Sequence, residues 1–465
     1  MDIAVPKSLR LLTLIVVASL AGCGGGGEST APGAPPTSSS VSVPNVVGMP
    51  KVQAESTITA AGFVVGTETD FPTAQVPAGG VYSQTPAAGV SAAKGSAVNL
   101  LIATPQQLAS SGTVQSDSGR SSFTYVSLAL WANALSWDAS NGVLQVVTGA
   151  DSPAYPRSIL SVDPTTGRVL LAHQLPIQAL AVAVSADGQY VYAGLDMGGG
   201  IQRLNAKTLS LDLAIPVGAS NTYIQAIAVS PVNPRTIAVA AWWLDGQYKP
   251  PGIAIFDDAV KRPNTLSSTV TVADPEDPYI SINALTVAWG SDERTLYASP
   301  GLLIVDVTSQ GASIRKWRKE FNSFGIGNRV RGNLVYSDGG EVFDLTGPVA
   351  QLGRFRYSNG NLQFRAELLD SGKSFAPVDH FGTSALGLPY VDGMTLHAAD
   401  LNTFASIDSL TLTGIASATF GKLYAWGTDG LAWADQARLV IGRGTFTQRG
   451  ALPGADRAVD DISND

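Results

Sequence analysis

Short apolar runs broken by turn-forming residues fill most of this chain, and they recur. Seven times such a run ends in Asp or Asn: Val162-Asp163, Leu204-Asn205, Phe256-Asp257, Val305-Asp306, Phe343-Asp344, Ala399-Asp400 and Ala434-Asp435. The marks cover 272 residues in six intervals, a mean of about 45, which is a repeat period rather than chance spacing. A second element precedes several of them. The apolar run at 180–185 leads through Asp187-Gly188 to another at 190–193, 227–231 leads to 236–240, and 285–288 leads through Ser291-Asp292 to 295–298. Asp-Gly between two apolar runs is a strong hairpin signal. After Asp163, Pro164 to Gly167 forms another turn signal. Each unit therefore predicts a meander of short strands that cannot close its own core, and stacking such units about an axis buries both faces.

The repeat resembles the YVTN/WD40-like β-propeller superfamily, most clearly in the second to fourth units. The predicted fold class is mainly β: a propeller over residues 122–450, counted as seven blades with six or eight left open, behind a smaller α+β domain. Residues 354–373 show no clear unit, and the sequence leaves open whether 123–130 closes the ring against the last blade. From Thr445 the chain reads as fraying, with 451–465 a mildly acidic tail.

The pattern changes upstream. Val43-Pro44-Asn45-Val46-Val47-Gly48-Met49 opens a unit in which Ala54, Ile58 and Ala61 fall on one face of a helix. Gly62 stands where a helix C-cap favours a left-handed residue. A strand begins at Phe63, Gln84-Thr85-Pro86-Ala87-Ala88-Gly89 marks a turn, and Val98, Leu100 and Ile102 alternate as a half-buried strand. This order resembles the PASTA module across residues 42–104. One departure is Pro50, where the family usually carries a Ser able to cap the helix; Pro is tolerated at a first helical position. The resemblance implies either recognition of peptidoglycan or a spacer role. Residues 105–121 read as a linker to the propeller.

At the N-terminus, Lys7 and Arg10 precede an apolar run over 11–20. That is shorter than the ~20 residues a membrane span needs, and it fits the core of an export signal. Leu20-Ala21-Gly22-Cys23 resembles the lipobox of bacterial lipoprotein precursors, and Cys23 is the only cysteine in 465 residues. An exported chain with one cysteine forms no internal disulfide, which makes modification the natural use of this thiol. The expectation is cleavage after residue 22, lipid on Cys23 as the membrane anchor, and a Gly-, Ser- and Pro-rich flexible linker over 23–41. Gly24, in place of the Asp that favours inner-membrane retention in that family, implies an outer-membrane lipoprotein of the cell envelope.

Composition narrows the function classes. Net charge is −8 with only 14% charged residues, which gives no footing for nucleic acid as a partner. The three histidines, His173, His380 and His397, form no metal-ligand spacing, although His380 and His397 could meet across one blade. Ser384 lacks the second glycine of a nucleophile elbow, because Leu386 stands there, and Gly372-Lys373-Ser374 lacks the first glycine of a phosphate loop. No catalytic residue, metal or cofactor is therefore assigned, the covalent lipid apart. Two clusters are candidates for a binding surface. Trp242 and Trp243 with Tyr248 place aromatics beside a loop, and Arg315, Trp317 and Lys319 are expected on one face of a basic strand. The function expected is a non-catalytic envelope lipoprotein whose propeller binds proteins or glycans. The alternatives are a propeller enzyme, lactonase-like or quinoprotein-like, and an assembly scaffold at the outer membrane. Carboxylates at the central funnel would favour the enzyme.

Overall fold

The structure, a computed structural model, describes residues 40–73, 75–105, 109–218, 221–244, 248–266, 269–271, 279–281, 286–298, 302–318, 328–331, 334–337, 341–344, 350–355, 367–368, 373–383, 389–401, 403–413, 423–434 and 438–448. Among them the secondary structure is strand but for the helix Lys51–Ala60, and no helix is long and apolar enough to cross a membrane.

The N-terminal domain sets that helix on a three-stranded sheet ordered Val64–Pro72, Ala97–Thr104, Val81–Thr85. The first pair is parallel and the second antiparallel. Ala54 and Ile58, the predicted inward face, are fully buried among Val43, Val46, Phe63 and Val98. Pro50 supplies no side-chain cap, but its carbonyl accepts the N–H groups of Gln53 and Ala54, each at 3.0 Å. Gly62, at φ +85°, ends the helix as expected, and the Phe63 N–H returns to the Ile58 carbonyl. The domain starts slightly before residue 42, since Ser40–Ser42 pairs with Ser91–Ala93.

Beyond it the strands form seven four- or five-stranded sheets among the described residues, spanning 132–174, 179–216, 222–261, 287–318, 328–354, 367–413 and 423–443, the last joined by N-terminal strands. Each is an up-and-down meander. The first strands of the first to fourth sheets approach one another in turn, as do those of the sixth, seventh and first, as expected of strands lining an axis. Between every pair of consecutive sheets lies an apolar seam. Val147 and Ile159 meet Val191 and Leu204; Tyr192 and Ile201 meet Ile224 and Phe256; Ile255 meets Leu296 and Val305. Leu302 meets Val335 and Phe343, Tyr336 meets Ala399, and Leu410 meets Trp433. The seventh seam packs Leu439 and Ile441 against Leu144 and Leu160 of the first sheet, which closes the circle. This is a β-propeller.

Closure uses the N-terminal side of the chain. Ser122–Leu128 pairs antiparallel with Leu439–Arg443, from Leu439 opposite Leu128 to Arg443 opposite Thr124. Ser110–Gln115, within the stretch read as linker, adds a fifth strand outside it. The turn between these two strands grips the sixth sheet: the Asp117 N–H donates to the Ser409 carbonyl at 2.8 Å, and the Ser118 hydroxyl donates to the Asp408 carboxylate at 2.7 Å. The chain does not fray at 445 either. Phe446 and Thr447 are buried, and the Phe446 N–H bonds the Ser122 carbonyl.

The acid-ended strands have a local cause. Six of the seven marks lie on or directly after the third strand of their sheet; Asp163, Asn205 and Asp400 cap the turn to the fourth, whereas Asp257 and Asp306 hold Arg262 and Arg315. Asp163 accepts the Thr165 N–H at 2.9 Å and the Thr166 hydroxyl at 2.7 Å; Asn205 and Asp400 accept the N–H groups of Thr208 and Thr403. Ala434 instead ends the second strand of the closing sheet, and Asp435 lies outside the described residues. That sheet takes its fourth strand from residues 122–128, so its third strand makes no such turn and ends in Arg443-Gly444.

Candidate functional site

In the N-terminal domain the recurrent motif residues turn out to be braces. Gln84 is 8% exposed, and its Oε1 accepts the Val46 N–H at 2.8 Å while its Nε2 donates to the Pro44 and Pro86 carbonyls. One amide thus ties the opening Val-Pro-Asn-Val segment to the later turn. Lys51 pairs with Glu68 at 2.5 Å and with Glu55 at 3.8 Å, and the hydrogen bond to Glu68 holds its ammonium above the usual lysine pKa. Residues 41–104 match the PASTA domain. Such domains are associated with peptidoglycan or cell-wall binding. A comparison with curated protein sequences finds no match. Among solved structures, the β-propeller domain of Cps50 (Swd1) from Myceliophteria thermophila is 12% identical, with a TM-score of 0.49, covering 68% of this chain and 97% of its own. The structure of U3-55K is 11% identical, with a TM-score of 0.43, covering 68% of this chain and 95% of its own. The propeller assignment rests on the sheets and seams described above.

The PASTA domain is docked, not dangling. Phe71 is fully buried, stacked on Tyr82 at 4.7 Å and set edge-on to Tyr155 of the first propeller sheet at 5.2 Å. Together with Leu101 it enters the seam between the closing and first sheets, beside Leu128 and Leu130. The Tyr82 hydroxyl donates to the Ala172 carbonyl, and the Gln75 amide donates to the Leu170 carbonyl at 3.4 Å. Both acceptors belong to Val169–Gln174, the outermost strand of the first sheet. Burial raises the pKa of the Tyr82 phenol, which keeps it a hydrogen-bond donor. An outer strand with unpaired backbone groups invites pairing with another chain, and the PASTA domain covers part of that edge. Val47 and Val52 at the helix entry remain exposed, at 46% and 74%.

Trp242 and Trp243 end the strand Thr236–Leu244, with Trp243 opposite Lys249 and Leu244 opposite Tyr248 across a hairpin of the third sheet. Their strands run nine and ten residues, against six in the second sheet, so the hairpin is elongated. Arg315 and Trp317 do not share a face. A bulge at Arg315 interrupts the register, Ile304 pairing with Lys316 but Val305 with Ile314, and the alternation expected from sequence is broken there. Arg315 is committed to the Asp306 carboxylate and the Thr295 hydroxyl, while Trp317 packs inward against the third seam with its indole nitrogen buried. Cys23 and Lys319 lie outside the described residues.

His380 and His397 are not brought together. Their rungs are Gly393 and His397 itself on one strand, four positions or roughly 13 Å apart. Among residues of the seven first strands whose side chains are described, the one carboxylate is Asp138, 1% exposed and held by the Asn141 backbone N–H and amide at 3.0 and 2.8 Å. It braces a turn. Sequence reasoning did not find the docking residues Phe71, Tyr82 and Tyr155. Phe71 and Tyr82 lie in the strands Val64–Pro72 and Val81–Thr85, and no motif residue beside them marks a contact with a distant part of the chain.

Proposed function

We propose that this chain is a non-catalytic cell-envelope lipoprotein. Lipid on Cys23 fastens it to a membrane, the outer membrane by the Gly24 criterion, and the PASTA domain meets peptidoglycan. The propeller, carried with the PASTA domain as one body, offers a binding surface for envelope proteins or glycans. The observation that carries this reading is the PASTA match at 41–104 together with its docking through Phe71 and Tyr82. A domain associated with wall polymer, held against a large scaffold, positions that scaffold at the wall. The elongated hairpin with Trp242, Trp243 and Tyr248 is the part of the propeller we put forward for partner contact, since aromatic faces stack on sugars and anchor protein partners.

Two measurements test the reading separately. Purified protein is expected to co-sediment with isolated peptidoglycan sacculi in a saturable way; protein left entirely in the supernatant would remove wall contact. In cells, Cys23→Ser is expected to abolish lipid labelling and release the protein from membranes, and a variant that stays membrane-bound would remove the anchor.

A further inference from the structure

The seam between the closing and first sheets is not filled along its whole length. It leaves a cleft of about 280 Å³ lined by Thr124, Val126, Thr165, Trp426, Arg443 and Gln448, among others. Trp426 is fixed from several sides. Its indole N–H donates to the Leu431 carbonyl at 3.1 Å, and Trp137 of the first sheet lies 6.0 Å away at 52°. Gly430 makes room beneath the ring: a Cβ there would stand 2.1 Å from it. On this indole, 96% buried by its 4% exposure, the guanidinium of Arg443 rests with its carbon 5.5 Å from the ring centroid.

Arg443 differs from the arginines that hold the sheets together. Arg203 bonds Asp212 and Asp258, Arg262 bonds Asp257, and Arg315 bonds Asp306. Arg443 has its ring contact but no carboxylate in ion-pair range among the described residues, and its side chain is exposed at the cleft. A guanidinium stacked on a fixed ring gives up little further freedom on binding, and its planar fork of N–H donors matches a carboxylate. Thr165 and Gln448 also line the cleft and carry side-chain hydrogen-bonding groups. Its volume lies near the lower end of small-molecule sites, room for one or two amino-acid residues rather than a polymer.

We propose that this cleft binds the terminal carboxylate of a short peptide, with Arg443 as the anion-recognising residue and Trp426 as the platform that orients it. The site belongs to the propeller alone and does not depend on wall contact by the PASTA domain, so sacculus sedimentation and peptide binding fail independently.

The test titrates full-length protein in detergent with acetyl-alanyl-alanine and with the same peptide as its carboxamide, followed by calorimetry. The acid is expected to bind saturably, and the amide about tenfold more weakly or worse, because one charge-assisted contact pair is lost. Arg443→Gln is expected to bring the acid down to the level of the amide, and Arg443→Lys to fall between, since an ammonium keeps the charge without the fork. Equal binding of acid and amide by the unaltered protein overturns the proposal without any variant. So does an absence of saturable binding at millimolar concentrations, or an Arg443→Gln protein, shown to melt normally, that binds the acid as tightly as the parent.

Discussion

His173 sits on the outer strand of the first sheet opposite Ile159, and burial lowers its pKa from the ordinary 6.5. A group whose folded pKa lies below its unfolded value adds stability above the unfolded value and loses it as pH falls, because the unfolded chain takes up the proton first. The melting temperature is therefore expected to drop between about pH 7.5 and pH 5, and to drop less in His173→Gln; parallel losses in the two proteins would show that this imidazole is not the cause. Asp163 illustrates the opposite kind of polar residue. Burial pushes its pKa up, but the Thr166 hydroxyl and the N–H groups of Thr165 and Thr166 outweigh that and hold it below the usual value. Gln84 carries no charge and does comparable work by reaching three backbone groups. Such residues explain why parts of the sequence were legible one position at a time. A PASTA motif written around a glutamine is visible because one buried amide fixes two segments, and the repeating Asp or Asn is visible because the end of the third strand uses it, as a turn cap at Asp163, Asn205 and Asp400 and as an arginine partner at Asp257 and Asp306.

At the scale of elements, the hairpins signalled by Asp187-Gly188 and Ser291-Asp292 form as expected, with Ala179–Val184 paired to Tyr190–Leu195 and Val287–Trp289 to Thr295–Ala298. Their register is set by adjacent residues, so local reading suffices. Three features escaped because they are not local. The bulge at Arg315 is decided by what Val305 and Trp317 pack against, not by the basic run itself. Ser110–Gln115 looks like linker because its pattern is polar, and it is a strand only because Ser122–Leu128 offers an edge. The closing sheet shifts its acid mark by one strand because its outer strand comes from elsewhere in the chain. If the Asp or Asn marks act as turn caps, Asp163→Ala should cost about 1 kcal/mol in urea denaturation, the ordinary worth of a turn hydrogen bond. A variant indistinguishable from the parent would mean that the recurring acid has another cause.

The two parts of the molecule are joined chiefly by the Phe71–Tyr82–Tyr155 contact, with Leu101 and the Gln75–Leu170 bond beside it. Because Phe71 is fully buried in the seam between the closing and first sheets, the PASTA domain and propeller are expected to unfold in one calorimetric transition. Phe71→Ala removes a buried aromatic whose loss typically costs about 3–5 kcal/mol, and it is expected to split the trace into two transitions. Tyr82→Phe keeps the ring while removing the bond to Ala172, and is expected to shift the single transition by only a few degrees, about 1 kcal/mol. Two transitions already present in the parent protein would mean the domains are merely neighbours.

The strand that completes the circle also sets a schedule. Ser122 donates its N–H to the Thr445 hydroxyl at 2.9 Å, across a sequence separation of 323. A chain emerging N-terminus first, from a ribosome or through a translocation channel, presents one half of this clasp early and holds it without a partner until nearly everything else has arrived. Stepwise completion, sheet by sheet, is thereby denied to the ring. Its final locking waits for the last strand, and a chain broken off before residue 439 would leave that early half permanently open.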